Sequence, residues 1–194
     1  MNSFYSPEEL AELGIREYGE NVQISRKASI YGGENLTIGS HVRIDDFCIL
    51  SGKITLGSYI HISAYTALYG GEAGITLRDY SGISARCAVY AISDDFSGLV
   101  MTNSTIPLEY RRVISGPVLL ESHVIVGTGS TILPNVTIGE GAAVGSMSFV
   151  NKDLEPWGIY SGVPCVWMKS RSNELLEKEK LLRAQDEKTG KTEE

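Results

Sequence analysis

"VIVGTGSTILPNVTIGEGAAVGSMSFV", residues 124–150, decides the fold. An aliphatic residue returns at every sixth place: Val126, Ile132, Ile138, Val144 and Val150. Neither the helix period of about 3.6 nor the strand period of about 2 explains that beat. A triangular coil does. Each side is a short strand that points one residue of the hexad into a narrow core and then turns. Three sides close one coil, coils stack at about 4.8 Å, and each buries its core face only against its neighbours.

Outward from that stretch the beat continues. Ile24 and Ile30 start the series, Ile38, Ile44, Leu50, Leu56, Ile62 and Leu68 follow, then Leu77, Ile83 and Val89, and Leu120 after a longer break. Four places after each aliphatic the residue is often small or β-branched, as at Val42, Cys48, Ile54, Thr66, Ser81, Cys87, Val124, Ser130, Val136, Ala142 and Ser148, which suits a cramped corner. Glycine often follows the aliphatic directly, as at Gly39, Gly57, Gly127, Gly139 and Gly145. Roughly 17 hexads make about six coils, a prism on the order of 27 Å tall. The fold class expected is all-β, a parallel β-helix of hexapeptide repeats over residues 21–169.

The ends read differently. "SPEELAELG" predicts a short helix within a cap spanning residues 1–20: Ser6 caps, Pro7 takes the first helical place, Glu9 completes a capping box and Gly14 stops it. Its expected task is to plug the lower end of the prism. Residues 170–194 predict a second helix, with Leu175, Leu176, Leu181 and Leu182 on one stripe packed on the prism or a neighbour. A charged tail, "QDEKTGKTEE", is expected to be disordered.

The chain of 194 residues carries a net charge of −7, which disfavours nucleic acid as a partner. The first thirty residues hold no long apolar run, so neither a signal peptide nor a membrane span is expected. Three cysteines, an odd number, speak against a disulfide framework and for a reducing cytoplasm. Cys48 and Cys87 sit two coils apart with Thr66 between, too far for a disulfide, and read as small core residues.

The pattern resembles the hexapeptide-repeat, left-handed β-helix family, most of whose members are acyltransferases. "VIVGTGSTILPNVTIGEGAAVGSMSFVNKDLEPWGIYSGVPCVWMK" is similar to the closing coils of galactoside and maltose acetyltransferases. The whole chain, including "HVRIDDFCILSG", "ALYGGEAGI" and "NKDLEPWGIYSGVP", resembles bacterial enzymes that acetylate dTDP-4-amino-4,6-dideoxyglucose for O-antigen synthesis. The resemblance implies acetyl-CoA as co-substrate, a nucleotide-linked sugar as acceptor and a homotrimer. Some left-handed β-helices bind zinc through three histidines and act as carbonic anhydrases. Here His41 and His61 fall at different corners, so the convergence that zinc requires is missing and no metal is expected. His41 and His123 share one hexad place and read as surface turn residues.

Departures from regularity carry the chemistry. "YGGEAGIT", residues 69–76, inserts extra residues that let the backbone leave the coil and present Glu72. Residues 93–116 form an excursion loop, and a loop that long in so regular a fold is usually functional. The resemblance implies a site between two subunits beside this loop. The family's catalytic histidine aligns with Asp94, next to Asp95, and its sugar-holding acid with Glu72. Tyr65, Arg111 and Arg112 join Glu72 as candidate substrate contacts, the arginines toward a diphosphate. Coenzyme A contacts are implied at Thr128, Ser146, Asn151, Lys152 and Lys169, while an arginine expected at Val166 is absent.

Losing the histidine bears on the reaction. A sugar hydroxyl needs a base near neutrality, and an aspartate of pKa about 3.9 serves poorly. A sugar amine of pKa about 8, by analogy with an α-amino group, is already partly neutral at pH 7. N-acylation is therefore favoured over O-acylation. The alternatives stay open. An O-acetyltransferase would need a base, with His61 the one histidine near these coils, and a non-catalytic β-helix would keep the site only for binding or assembly.

Overall fold

The computed structural model describes residues 3–190. The hexads form three faces of a triangular prism. On one face Ile24, Ile44, Ile62, Ile83, Val126, Val144 and Tyr160 lie in parallel register. On the next, Ile30, Leu50, Leu68, Val89, Ile132 and Val150 align. The third carries Tyr18, Ile38, Leu56, Leu77, Leu120 and Ile138. Nearly every residue in these ladders is buried in one continuous core. Each full burial of an Ile or Leu contributes about 1.5–3 kcal/mol.

The small fifth-place residues are buried too, and the polar ones find backbone acceptors. Thr66 Oγ1 donates to the Ser84 carbonyl at 2.9 Å, and Ser148 Oγ to the Gly145 carbonyl at 2.7 Å. Cys48 and Cys87 are buried free thiols in the core, as is Cys165. The glycine after the aliphatic has a packing reason. A Cβ on Gly127 would stand 2.5 Å from the Ser146 backbone nitrogen, and one on Gly39 2.6 Å from the Gly57 carbonyl carbon.

Corners require left-handed backbone. His41, Tyr59, Tyr80, His123 and Trp157 share one edge of the prism, all with positive φ. Their rings stack from coil to coil: His41 on Tyr59 at 4.5 Å, Tyr59 on Tyr80 at 5.0 Å and Tyr80 on His123 at 5.2 Å between centroids. Gly141 takes the next rung, where the Trp157 ring covers it so closely that a Cβ would meet that ring at 2.4 Å.

Helix α1 (Pro7–Glu12) starts with the expected capping box between Ser6 and Glu9 and sends Leu10 into the core. Helix α2 (Leu175–Gly190) runs along the aromatic edge. Glu179 Oε2 accepts the His123 Nε2–H across 2.8 Å, Arg183 lies over the Tyr80 ring, and the Tyr59 hydroxyl donates to Asp186. That last bond pushes the Tyr59 hydroxyl up to about 12.

Four expectations need correction. His123 is a turn residue but not a surface one: it is only 8% exposed, because α2 covers it. Leu181 points to solvent, and the helix packs through Leu175, Glu179 and Leu182 instead. The helix also runs on past Gln185 to Gly190, where disorder was expected, with Asp186 held by Tyr59 on the prism's edge; residues 191–194 lie outside the described residues. The insertion at 69–76 does not leave the coil. It is absorbed into one long strand, Ala67–Leu77, which pairs with Ile49–Leu56 through register shifts at Gly52.

Gly127→Ala is expected to lower stability by about 1–3 kcal/mol, the usual cost of overpacking. Denaturant unfolding of the two proteins checks it, and an unchanged midpoint would mean the coils part without cost at that corner.

Candidate active site

The excursion begins where the regular coil ends, at the strand Ile92–Asp94, and returns as the antiparallel strand Val113–Ser115. That pairing sets Asp94 opposite Val113. The two neighbouring acids then diverge. Asp95 turns inward and is 2% exposed. Its Oδ1 accepts the Ser97 N–H at 2.7 Å, and its Oδ2 accepts from Arg112 Nε at 2.5 Å. Those bonds, Ser97 first and then Arg112, hold its carboxyl below the usual range. Asp95 is thus the fastener of the loop.

Asp94 turns toward solvent and stays 35% exposed. Its Oδ2 accepts the Asn103 N–H at 3.2 Å, and its Oδ1 lies 3.9 Å from Arg111 Nη1. It lines a cavity of about 750 Å³ whose walls include Tyr69, Tyr90, Ile92, Phe96, Arg111 and Leu133. Tyr69 and Tyr90 stack at 5.0 Å on adjacent coils and make a flat aromatic floor beside the carboxylate. Burial, with the Tyr69 ring alongside, pushes the Tyr90 hydroxyl up. Phe96 is 89% exposed at the rim, and Leu99 and Leu108 farther out on the loop are exposed as well.

The other candidates scatter within one chain. His61 sits on the face of Ile44 and Ile62 and hydrogen-bonds Asp45 at 2.8 Å through Nε2. Burial works to raise the Asp45 carboxyl, but Arg43 and His61 together hold it low. His61 opens on a different cavity, under α2, from the one that holds Asp94. Glu72 is exposed on the long strand Ala67–Leu77, outside the lining of the Asp94 cavity. Tyr65 is exposed at a corner, stacked 4.9 Å from Phe47. Thr128 and Ser146 lie exposed on adjacent coils of one corner, where the Met147 N–H donates to the Thr128 carbonyl at 2.8 Å. Asn151 and Lys152 are exposed on the closing coil, with Lys152 at a cavity of about 480 Å³ that Trp157 and Trp167 flank. Lys169 is exposed on the edge strand Val166–Ser170. The three histidines do not converge, each being held by a different partner.

A triangular prism of stacked hexads with one lateral loop is the architecture of hexapeptide-repeat proteins. No protein-family model matches the chain. Individual proteins do. The chain is 43% identical to the dTDP-4-amino-4,6-dideoxy-D-glucose acyltransferase of Escherichia coli, over 90% of this chain and 92% of that one. It superimposes on AntD, an N-acyltransferase from Bacillus cereus, with a TM-score of 0.93 and 54% identity over 95% of this chain and 100% of AntD. That structure is the S84A variant in complex with dTDP-4-amino-4,6-dideoxyglucose and coenzyme A. A further AntD structure, with dTDP and 3-hydroxybutyryl-CoA, has a TM-score of 0.93 and covers 96% of this chain and 100% of AntD at 54% identity. The chain belongs to the hexapeptide-repeat acyltransferase family.

AntD was also solved with D94N. This chain carries serine and aspartate at the same two numbers. Ser84 escapes the sequence reading. It follows Ile83 as Ser63 follows Ile62 one coil earlier, so its hexad place is not distinctive. In the fold it is half-buried, its N–H bonded to the Val126 carbonyl at 2.9 Å.

The Asp95 fastener carries a pH dependence. Its folded value is depressed, so its contribution is fully present above the unfolded value of about 3.9 and is lost as pH falls through the lower folded one. Limited proteolysis at neutral pH is expected to cut Asp95→Asn within residues 96–110 while sparing the native loop. Equal resistance of the two would remove the fastening role.

Proposed function

We propose that the protein transfers an acyl group from coenzyme A to the amine of a nucleotide-linked 4-amino sugar of the dTDP-4-amino-4,6-dideoxyglucose type. The single observation that carries this is Asp94: a carboxylate, not an imidazole, faces the cavity where the regular coil ends, with no histidine in its lining. The ligands of AntD and the activity named for the E. coli relative support the same acceptor.

The chemistry follows from that carboxylate. Asp94 accepts a hydrogen bond from the acceptor's amine and orients it. The neutral amine's lone pair attacks the thioester carbonyl carbon, the N–C bond forms and the C–S bond breaks. The proton lost by nitrogen leaves to water, and coenzyme A departs as thiolate and is protonated to the thiol. The Tyr69–Tyr90 floor offers a flat apolar surface to the sugar or its base. Acetyl is the acyl group the sequence suggests; the cavity's size and the 3-hydroxybutyryl-CoA complex of AntD support a chain of up to four carbons as well.

Coenzyme A is assigned to Thr128, Ser146, Asn151, Lys152 and Lys169, all of which are exposed. Small residues let its arm lie against the backbone, and the lysines suit its phosphates. The working form is a homotrimer. Phe96, Leu99 and Leu108 leave a large apolar surface on the loop, which a closed ring about a threefold axis would cover. Glu72, Tyr65 and His61, scattered within one chain, gain a route to the site only across such an interface. Three buried thiols and the origin of acyl-CoA favour the cytoplasm as the place of action, ahead of surface-polysaccharide assembly.

Thiol release from acyl-CoA with paired amino and hydroxy nucleotide sugars tests the reaction. The 4-amino sugar is expected to turn over at least a hundredfold faster than its hydroxy counterpart; equal rates would return the reading to O-acylation. Light scattering is expected to give three chains per particle, and a monomer of full activity would remove the shared site. Lys152→Glu is expected to raise the KM for acyl-CoA severalfold with kcat retained, and an unchanged KM would place the phosphates elsewhere.

A further inference from the structure

The two acids and the two arginines of the loop are not two patches. They are two pairs. Asp95 takes Arg112, and Asp94 faces Arg111. Arg112 keeps an exposed guanidinium, whereas Arg111 is drawn into the wall, with its side chain 16% exposed. The Arg111 Nε is buried and has no hydrogen-bond partner among the described residues, so only the Nη edge reaches the cavity. A diphosphate is best held by the whole fork of an arginine, and here the fork is half withdrawn. Its Nη1 lies 3.9 Å from Asp94 Oδ1, an ionic approach too long for a hydrogen bond.

We propose that Arg111 is a positioning residue for acyl transfer, which steadies Asp94 and offsets that carboxylate's field at the acceptor nitrogen rather than gripping a diphosphate. This rests on the amine-acceptor reading above. The problem Arg111 solves is intrinsic to that reading. A carboxylate within about 4–6 Å of an ammonium favours the charged form and raises its pKa by about 1–3 units. An ammonium has no lone pair, so every unit removes about nine-tenths of the reactive amine near neutrality. A lone Asp94 would hold the acceptor well and keep it inert. With a cation on its far side, the carboxylate still accepts the N–H hydrogen bond while the amine titrates near its own value of about 8.

Among the described residues, no other charged side chain lines this cavity. Asp95 next door is committed to Arg112 and Ser97. The prism contributes the Tyr69 and Tyr90 rings, and the loop the Asn103 N–H. Glu72 stands outside the cavity lining.

The experiment is the pH profile of kcat, from about pH 6 to 10, with saturating acyl-CoA and 4-amino nucleotide sugar on the full-length protein. The native enzyme is expected to rise along a limb near pH 8. Arg111→Met is expected to move that limb up by about one unit, lose about tenfold in kcat at pH 7 and recover at high pH, with the KM for the nucleotide sugar little changed. Arg111→Lys keeps the charge and is expected to keep the limb. Asp94→Asn leaves the guanidinium unopposed and is expected to move the limb the other way, downward; the double variant returns it toward the native position. A limb that stays put in Arg111→Met while the nucleotide-sugar KM rises tenfold or more overturns the proposal and restores the diphosphate grip. Should Arg111→Met fail to fold by circular dichroism, Asp94→Asn decides alone: a limb unmoved or raised overturns the proposal. The parent reading fails separately. If hydroxy and amino sugars turn over equally in the native enzyme, the acceptor is no amine; if only the amine reacts and the limbs coincide, the role of Arg111 alone is lost.

Discussion

Every coil depends on the corner. To turn a parallel strand through a tight left-handed bend, a residue must sit at positive φ, a conformation that costs an L-residue about 1–2 kcal/mol. Glycine would adopt it freely, yet His41, Phe47, Tyr59, Tyr65, Tyr80, Arg86, His123, Met147 and Trp157 occupy such corners here. What offsets the strain is that the strained residue projects outward beside its counterparts on the coils above and below. Stacked rings recover about 0.5–1.5 kcal/mol per pair beyond their burial. Gly141, like Gly129 on another edge, is an exception. It takes the relaxed option, and Trp157 must then reach across to cover the gap.

A scaffold stabilised this way has little freedom left for chemistry. Each inward position is filled, each corner is committed, and the backbone groups pair with adjacent coils. The candidate site accordingly stands where the chain leaves that rhythm for its longest excursion. There the sequence supplies adjacent acids and, returning, adjacent arginines, and the loop pairs buried Asp95 with Arg112 and sets Asp94 facing Arg111 at the cavity. One pair fastens the loop and the other lines the cavity.

The core was almost wholly legible, because a hexad repeat encodes neighbours that the coil itself brings together. Ile44 predicts the places of Ile62 and Ile83 without any knowledge of distant contacts. The capping box at Ser6 was legible for the same reason. What sequence reading missed depends on segments far apart in the chain. His123 looked like a surface turn because Glu179, which buries it, lies on another element 56 residues on. Leu181 fitted a helical stripe, but the surface α2 packs against is an aromatic edge that wants Glu179 and Arg183 instead. The insertion at 69–76 looked like an exit from the coil, yet glycines at 52 and 71 let two bulged strands stay paired. Asp94 was singled out by the resemblance, at the place where the rhythm ends, whereas Ser84 sits inside that rhythm and leaves no trace in it.

The alignment of α2 with the aromatic edge works as a vernier. The helix meets His123, Tyr80 and Tyr59 through Glu179, Arg183 and Asp186, one contact per turn. A helical turn advances about 5.4 Å and a coil about 4.8 Å, so the two scales drift by about 0.6 Å per rung. Over three rungs the slip stays within what a flexible acidic or basic side chain absorbs. By six or seven it would approach a whole side-chain position, and the pairing would fall out of phase. A straight helix can therefore brace only a short stack of coils, and a taller prism would need a bent helix or a different brace.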